Sequence, residues 1–315
     1  MQGRTEISIK TSDGFFTRLS EDLKKNKLVY LLALPVVLYY VIFHYVPMYG
    51  ATIAFKDFTP AKGILGSPWI GFDYFVDFFT SQSFFRVVKN TLVINGANLL
   101  FGFPAPIFFA VLLNEIRLAK FKRTVQTITY MPHFVSLVVI CGIIKNFTNE
   151  TGIITEVLSW FGMPKTNLLD VAEYFVPIYV ISSIWQELGW NSIIYIAAIA
   201  AIDPTLYEAA SIDGAGRWRK MWHITLAGIM PTIMVLLVLK IGGMMTVGYE
   251  KIILLYQPLI YETSDVISTY VYRKGLLELN WGYSSAVGLF NSVINCILLV
   301  TANQVTRKFN GSALW

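Results

Sequence analysis

The sequence predicts an all-α integral membrane protein with six transmembrane helices, and three observations carry that prediction. Of its 315 residues, 55% are hydrophobic and only 14% charged, with a mean hydropathy of +0.56, outside the range of soluble globular domains. Apolar runs recur that reach the roughly 20 residues needed to cross a hydrocarbon core as helix. Lys and Arg are unevenly shared between alternate loops, with fifteen of the 25 on one side.

The first span, 28–47, follows a tail (1–27) carrying Arg4, Lys10, Arg18, Lys24, Lys25 and Lys27. That tail is too long and too mixed in charge for a signal-peptide n-region, and no small-residue cleavage site follows the span, so the span is expected to stay as an anchor. The second, 88–113, holds Asn95 and Asn98 ahead of Pro104 and Pro106, and ends before Arg117, Lys120, Lys122 and Arg123. Spans 124–147 and 175–202 follow, the latter holding Trp185, Gln186, Glu187, Trp190 and Asn191. The fifth, 224–247, carries Lys240 beside Gly242 and Gly243, and the sixth, 284–305, carries Asn291 and Asn295.

The cationic loops place both termini and the segment 203–222 in the cytoplasm. The chain then divides into a cytoplasmic tail (1–27), a membrane domain (28–306) and a second tail (307–315). Long aromatic loops lie outside; Gly and Pro punctuate 48–86, which suggests a folded cap rather than strands.

Composition also removes function classes. Cys141 and Cys296 lie within spans as inert thiols, and His44, His133 and His223 fit no metal spacing. There is no phosphate-binding G-x-x-x-x-G-K-[ST] loop, no H-E-x-x-H, and no pair of intramembrane carboxylates for ion coupling. The net charge of +5 follows from topology and calls for no nucleic-acid partner.

The segment between spans four and five is the most informative. Asp203 before Pro204 is an N-cap followed by the proline favoured at the first helical position. Leu206, Ala209, Ala210 and Asp213 recur at helical spacing, Gly214 and Gly216 end the helix, and Trp218, Met221 and Trp222 form an apolar stripe on a second one. A helix lying at the lipid interface would account for the second helix alone. It does not account for Glu208 among alanines, which fits a basic partner across a protein interface.

Glu208-Ala209-Ala210, then Gly214, then Ile224 and Leu226 at the matching spacing resemble the EAA signature of permease subunits of binding-protein-dependent ABC importers. Where that signature continues with proline, this chain has Ala227, and Pro231 comes four residues later. Residues 247–251 and 266–273, Gly288-Leu289-Phe290 and Ala302-Asn303-Gln304 are similar to the subgroup importing oligosaccharides or polysaccharide fragments. The resemblance implies a type I importer permease fold and no catalytic or cofactor site in this chain. It also implies a sister permease, two ATPase subunits that bind ATP and magnesium, and an extracytoplasmic solute-binding protein. Glu208, Ala209, Ala210, Asp213, Gly214 and Trp218 would then couple to the ATPases.

Substrate candidates are Trp185, Glu187, Trp190, Asn191, Lys240, Asn291 and Asn295, because sugars are held by aromatic faces and by amides and charges. Competing structural roles are an ion pair with the sister subunit for Lys240, interhelical hydrogen bonds for the asparagines, and a lipid-facing belt for the tryptophans. Tyr249, Tyr256, Tyr270 and Arg273 are candidates for contact with the binding protein. A permease for amino acids or peptides is the alternative reading.

Overall fold

The computed structural model describes residues 22–310, so 1–21 and 311–315, the larger part of the expected tails, lie outside the described residues. All regular elements among the described residues are helices, with one isolated bridge between Lys56 and Trp69 in the first long loop, which is otherwise short helices and turns.

Helix α1, Lys27–Phe55, runs through Pro35 without stopping. None of its residues from Lys27 to Met48 is buried, and Leu32 is 79% exposed. So apolar a surface needs lipid or another protein against it. Only its last turns, Tyr49–Phe55, pack on the final helix of the chain.

Helix α2, Gln82–Asn114, contains a wide π turn at Asn98–Gly102 just before Pro104 and Pro106. Neither proline supplies a backbone N–H, and the loosened turn absorbs the defect while the helix continues.

The expected span 124–147 is not one helix. It is divided into α3, Ala119–Tyr130, and α4, Leu137–Thr148, by a 3-10 turn at Met131–Phe134 and extended backbone at Val135 and Ser136. Pro132 is the physical cause: it offers no backbone donor, so the i→i−4 ladder of α3 cannot continue through it and the chain tightens into the 3-10 turn before turning extended at Val135. No residue of α3 is buried, while α4 continues into the helix Ile153–Ser159 to give a span candidate at Leu137–Ser159.

Helix α5, Ala172–Ala200, is continuous for 29 residues, and α6, Pro204–Ile212, leaves it at 68°. Next come α7, Arg217–Leu226, and α8, Met230–Gly242, bent by 59°. The expected span 224–247 is therefore broken near Ala227–Ile229 and ends early, at Gly242. The short helix α9, Tyr249–Leu255, opens the last long loop, and α10, Trp281–Asn310, closes the described chain. By length and composition four helices can cross a membrane, or up to six if each bent pair is one span.

Three apolar clusters hold these elements together. One joins α4, α5 and the last loop through Ile140, Phe175, Ile252 and Ile260. A second, with Phe78, Tyr270 and Val287, ties that loop to the head of α10. The third joins α2, α5 and α8 through Ala110, Tyr195 and Ile233. Contact between α3 and α5 is close enough that a Cβ on Gly189 would lie 2.3 Å from the Thr129 carbonyl oxygen, so glycine is required there.

Candidate functional site

Ser183, Glu187 and Asn191 recur every four residues, which places them in one stripe along α5. That stripe lines a cavity of about 400 Å³, closed by Asn98 from α2 and Lys240 from α8, with Ile184, Leu188 and Leu236 supplying apolar wall. A few polar groups converging in an apolar-walled cavity is the common form of a small-molecule site. Helix α5 thus brings together two sequence candidates, Glu187 and Asn191, and α8 adds a third, Lys240.

Two groups with no sequence signal complete the polar constellation. His133, held in the break between α3 and α4, has its Nδ1 3.0 Å from Glu187 Oε2, and its ring stacks on Trp190 at 4.3 Å between centroids. Lys251 on α9 is 6% exposed; its ammonium donates to Ser183 Oγ at 2.9 Å and lies 5.2 Å from the Tyr179 ring centre. Burial pushes the Lys251 ammonium down to about 8, with Cys141 and Glu187 partly holding it up.

Other candidates fall elsewhere. Trp185 faces away from the cavity, into an apolar one of about 490 Å³ between α4 and α5. Asn295 is used structurally: its Oδ1 accepts from Met245 N at 2.9 Å and its Nδ2 donates to Thr246 Oγ1 at 2.9 Å. Together with Asn95, which donates to Met244 O at 2.6 Å, it satisfies the backbone where α8 has ended. Tyr249 and Asn291 line a separate groove of about 410 Å³ at the head of α10.

Of the proposed contacts in the last loop, Tyr270 and Arg273 turn inward. Tyr270 is 4% exposed, with its hydroxyl 3.0 Å from that of Tyr283, and Arg273 is bonded to Asp265 at 2.7 Å. Asp265 is fully buried and also faces Arg86 at 3.5 Å, so this loop is braced by charge from within. Tyr256 stacks on Tyr261 at 5.0 Å.

At the other end of the helices, α6 and α7 form an elbow. Asp203 Oδ1 accepts from Thr205 N at 2.9 Å, Pro204 opens the helix, and Gly214 turns the chain with φ +70°, a value that disfavours any side chain. Three contacts brace the elbow, the last of them tying it to the end of α2: Tyr207 to Thr225 at 2.9 Å, Lys220 to Ser211 at 2.6 Å, and Arg217 to Glu115 at 3.0 Å. The first two lie within the elbow and α7, whereas Glu115 is 102 residues from its partner, which puts the third beyond reach of local pattern. Facing outward are Ile212 (88% exposed), Trp218 (70%) and Leu206, with Glu208 also exposed and in no ion pair among the described residues. An apolar-faced projection with an unmatched carboxylate has the chemistry that suits a protein partner.

Residues 102–310, which include the elbow and most of the cavity, match the model of the family described as binding-protein-dependent transport system inner membrane component. The chain belongs to that family. The permease is 46% identical to protein LplB of Bacillus subtilis (strain 168) over 93% of its own length and 92% of the relative's. It is also 46% identical to the polygalacturonan/rhamnogalacturonan transport system permease protein YteP of that strain, over 95% and 93%. Its fold is similar, at a TM-score of 0.86 and 46% identity, to a chain of a bacterial ABC transporter involved in import of the acidic polysaccharide alginate; the match covers 93% of this chain and 99% of the other. A second structure, of a bacterial alginate ABC transporter in complex with an alginate pentasaccharide-bound periplasmic protein, matches at TM-score 0.86 and 44% identity, covering 94% and 100%. The permease is thus an inner-membrane, multi-pass transport subunit and not an enzyme.

Proposed function

We propose that the permease, with a sister permease, forms the translocation pathway for acidic oligosaccharides or polysaccharide fragments. The cationic constellation of Lys240 and Lys251 about the α2–α5–α8 cavity carries this reading. A lysine in the hydrocarbon region costs about 2.5–3.5 kcal/mol on insertion scales, so its retention there calls for an anion that needs it. Glu187, held in place by His133 at 3.0 Å, supplies the one carboxylate that offsets these cations. The substrates in the names of the related permease and importers, polygalacturonan, rhamnogalacturonan and alginate, are acidic, which supports the same class here.

In this reading the membrane domain, 28–306, has six spans of the type I arrangement, with both termini and the elbow 203–222 in the cytoplasm. The solute-binding protein docks on the opposite face. Two ATPase subunits, holding ATP and magnesium, grip the elbow through Glu208, Ala209, Ala210, Asp213, Gly214 and Trp218. Helix α1 lies in lipid and along the sister subunit, which accounts for its unburied apolar length.

A pH dependence follows from Lys251. Its charge is present in the folded protein below about 8 and lost above it, whereas the unfolded chain keeps the charge to about 10.5. Between these values the folded state binds fewer protons, so stability rises with pH while anion binding weakens. The KM for an acidic oligosaccharide is expected to rise between about pH 7 and about pH 9, and in Lys251→Met to be flat over that range. A rise of equal size in Lys251→Met would show that the titrating group is elsewhere.

Uptake by the full complex in vesicles tests the function itself, with acidic oligosaccharides, neutral oligosaccharides, amino acids and peptides offered separately. Acidic oligosaccharides are expected to be taken up with the highest kcat/KM. Preference for amino acids or peptides would overturn the assignment.

A further inference from the structure

The groove at the head of α10 is built differently from the inner cavity. Tyr249 and Tyr272 present a stacked ring pair, with centroids 6.0 Å apart and planes at 27°, and Trp281 adds a third ring. Deeper along α10, Asn291 has a buried Oδ1 with no hydrogen-bond donor among the described residues. Ten residues separate Trp281 from Asn291, about 15 Å of helix, so the groove is longer than one sugar ring.

We propose that this groove is a second saccharide subsite, which holds a sugar ring of the substrate outside the inner cavity; the inference deepens the oligosaccharide reading and rests on it. Ring faces suit the C–H face of a pyranose, and a turn of the Asn291 amide toward the groove lets a sugar hydroxyl supply the donor that its buried Oδ1 lacks. A lipid tail or an apolar helix would leave that oxygen unsatisfied. Helix α9 links the two sites. Tyr249 and Lys251 are two residues apart and so point to nearly opposite sides of the helix, one into the groove and the other toward Ser183 of the cavity. A chain of several sugars therefore meets aromatic rings first and lysines further in, with α9 between the two.

The consequence is a dependence on substrate length. In the full complex reconstituted in vesicles, Tyr249→Ala and Asn291→Leu are each expected to raise the KM for a long oligogalacturonide roughly fivefold, the size of one lost ring or hydrogen-bond contact, and to leave that for a digalacturonide unchanged. Tyr249→Phe, which keeps the ring, is expected to restore the long substrate. Equal effects on both lengths, or no effect on either, would overturn the subsite. Loss of the sister permease on purification of Tyr249→Ala and Asn291→Leu would also overturn it, by showing the groove to be a subunit interface. Failure of the wild-type complex to take up either oligomer would remove the acidic-oligosaccharide reading beneath it, an outcome visible before any variant is made.

Discussion

Replacing Glu208 by Ala is expected to reduce ATP-driven uptake at least about tenfold while the permease still folds, assembles with its sister and engages the loaded binding protein. Truncating one member of a desolvated charge pair at an interface costs about 2–5 kcal/mol, and each 1.4 kcal/mol is a factor of ten. Glu208 is exposed and forms no ion pair among the described residues, so its truncation removes no ion pair that holds them together. Gly214→Leu reaches the same outcome by another route. Its φ of +70° costs a side-chain-bearing residue about 1–2 kcal/mol, and the strain falls on the turn that aims α6 at its partner. Uptake and ATP hydrolysis measured together on both variants check the expectation: hydrolysis persists or becomes independent of substrate while uptake falls. Normal uptake in both would show that the elbow does not transmit the stroke.

The second large effect is expected at Lys240. Inverting its charge places a carboxylate in the same cavity as Glu187, and an acidic sugar then meets repulsion where attraction had been. Two like charges about 4 Å apart cost about 4 kcal/mol at an effective dielectric of 20, so Lys240→Glu should lower kcat/KM for an acidic oligosaccharide about a hundredfold or more. Lys240→Met isolates function from stability. Removing an intramembrane ammonium relieves a cost to the fold, so this variant is expected to be at least as heat-stable as the wild type while losing about tenfold in uptake of acidic substrate. A neutral oligosaccharide serves as control and should be little affected. Loss of stability in Lys240→Met, with acidic and neutral uptake falling together, would mean that the lysine is a structural ion-pair partner.

Much of this account was legible before any coordinates, because membrane helices announce themselves through length, hydropathy and loop charge. The elbow was legible too. Asp203-Pro204 starts a helix and Gly214 stops one through backbone chemistry that needs no tertiary context. What escaped was whatever depends on distant pairs. Pro132 was present in the expected span 124–147, yet an apolar window outweighed it, and the helix broke there. His133 looked isolated because Glu187, its partner, is 54 residues away. Lys251 carries no sequence signal as a cavity group; only the packing of α9 on α4 and α5 turns it inward. Asn291 and Asn295 illustrate the limit. One helical turn apart on α10, one caps a broken backbone and the other opens into a groove, a distinction set by what faces them.

One measurement reaches the centre of the account: uptake of an oligogalacturonide and release of phosphate, followed together in vesicles holding the two permeases with and without their ATPase subunits. The account predicts uptake only when ATPases, ATP and loaded binding protein are all present, with phosphate released in step. Uptake driven by an ion gradient through the permeases alone would contradict it.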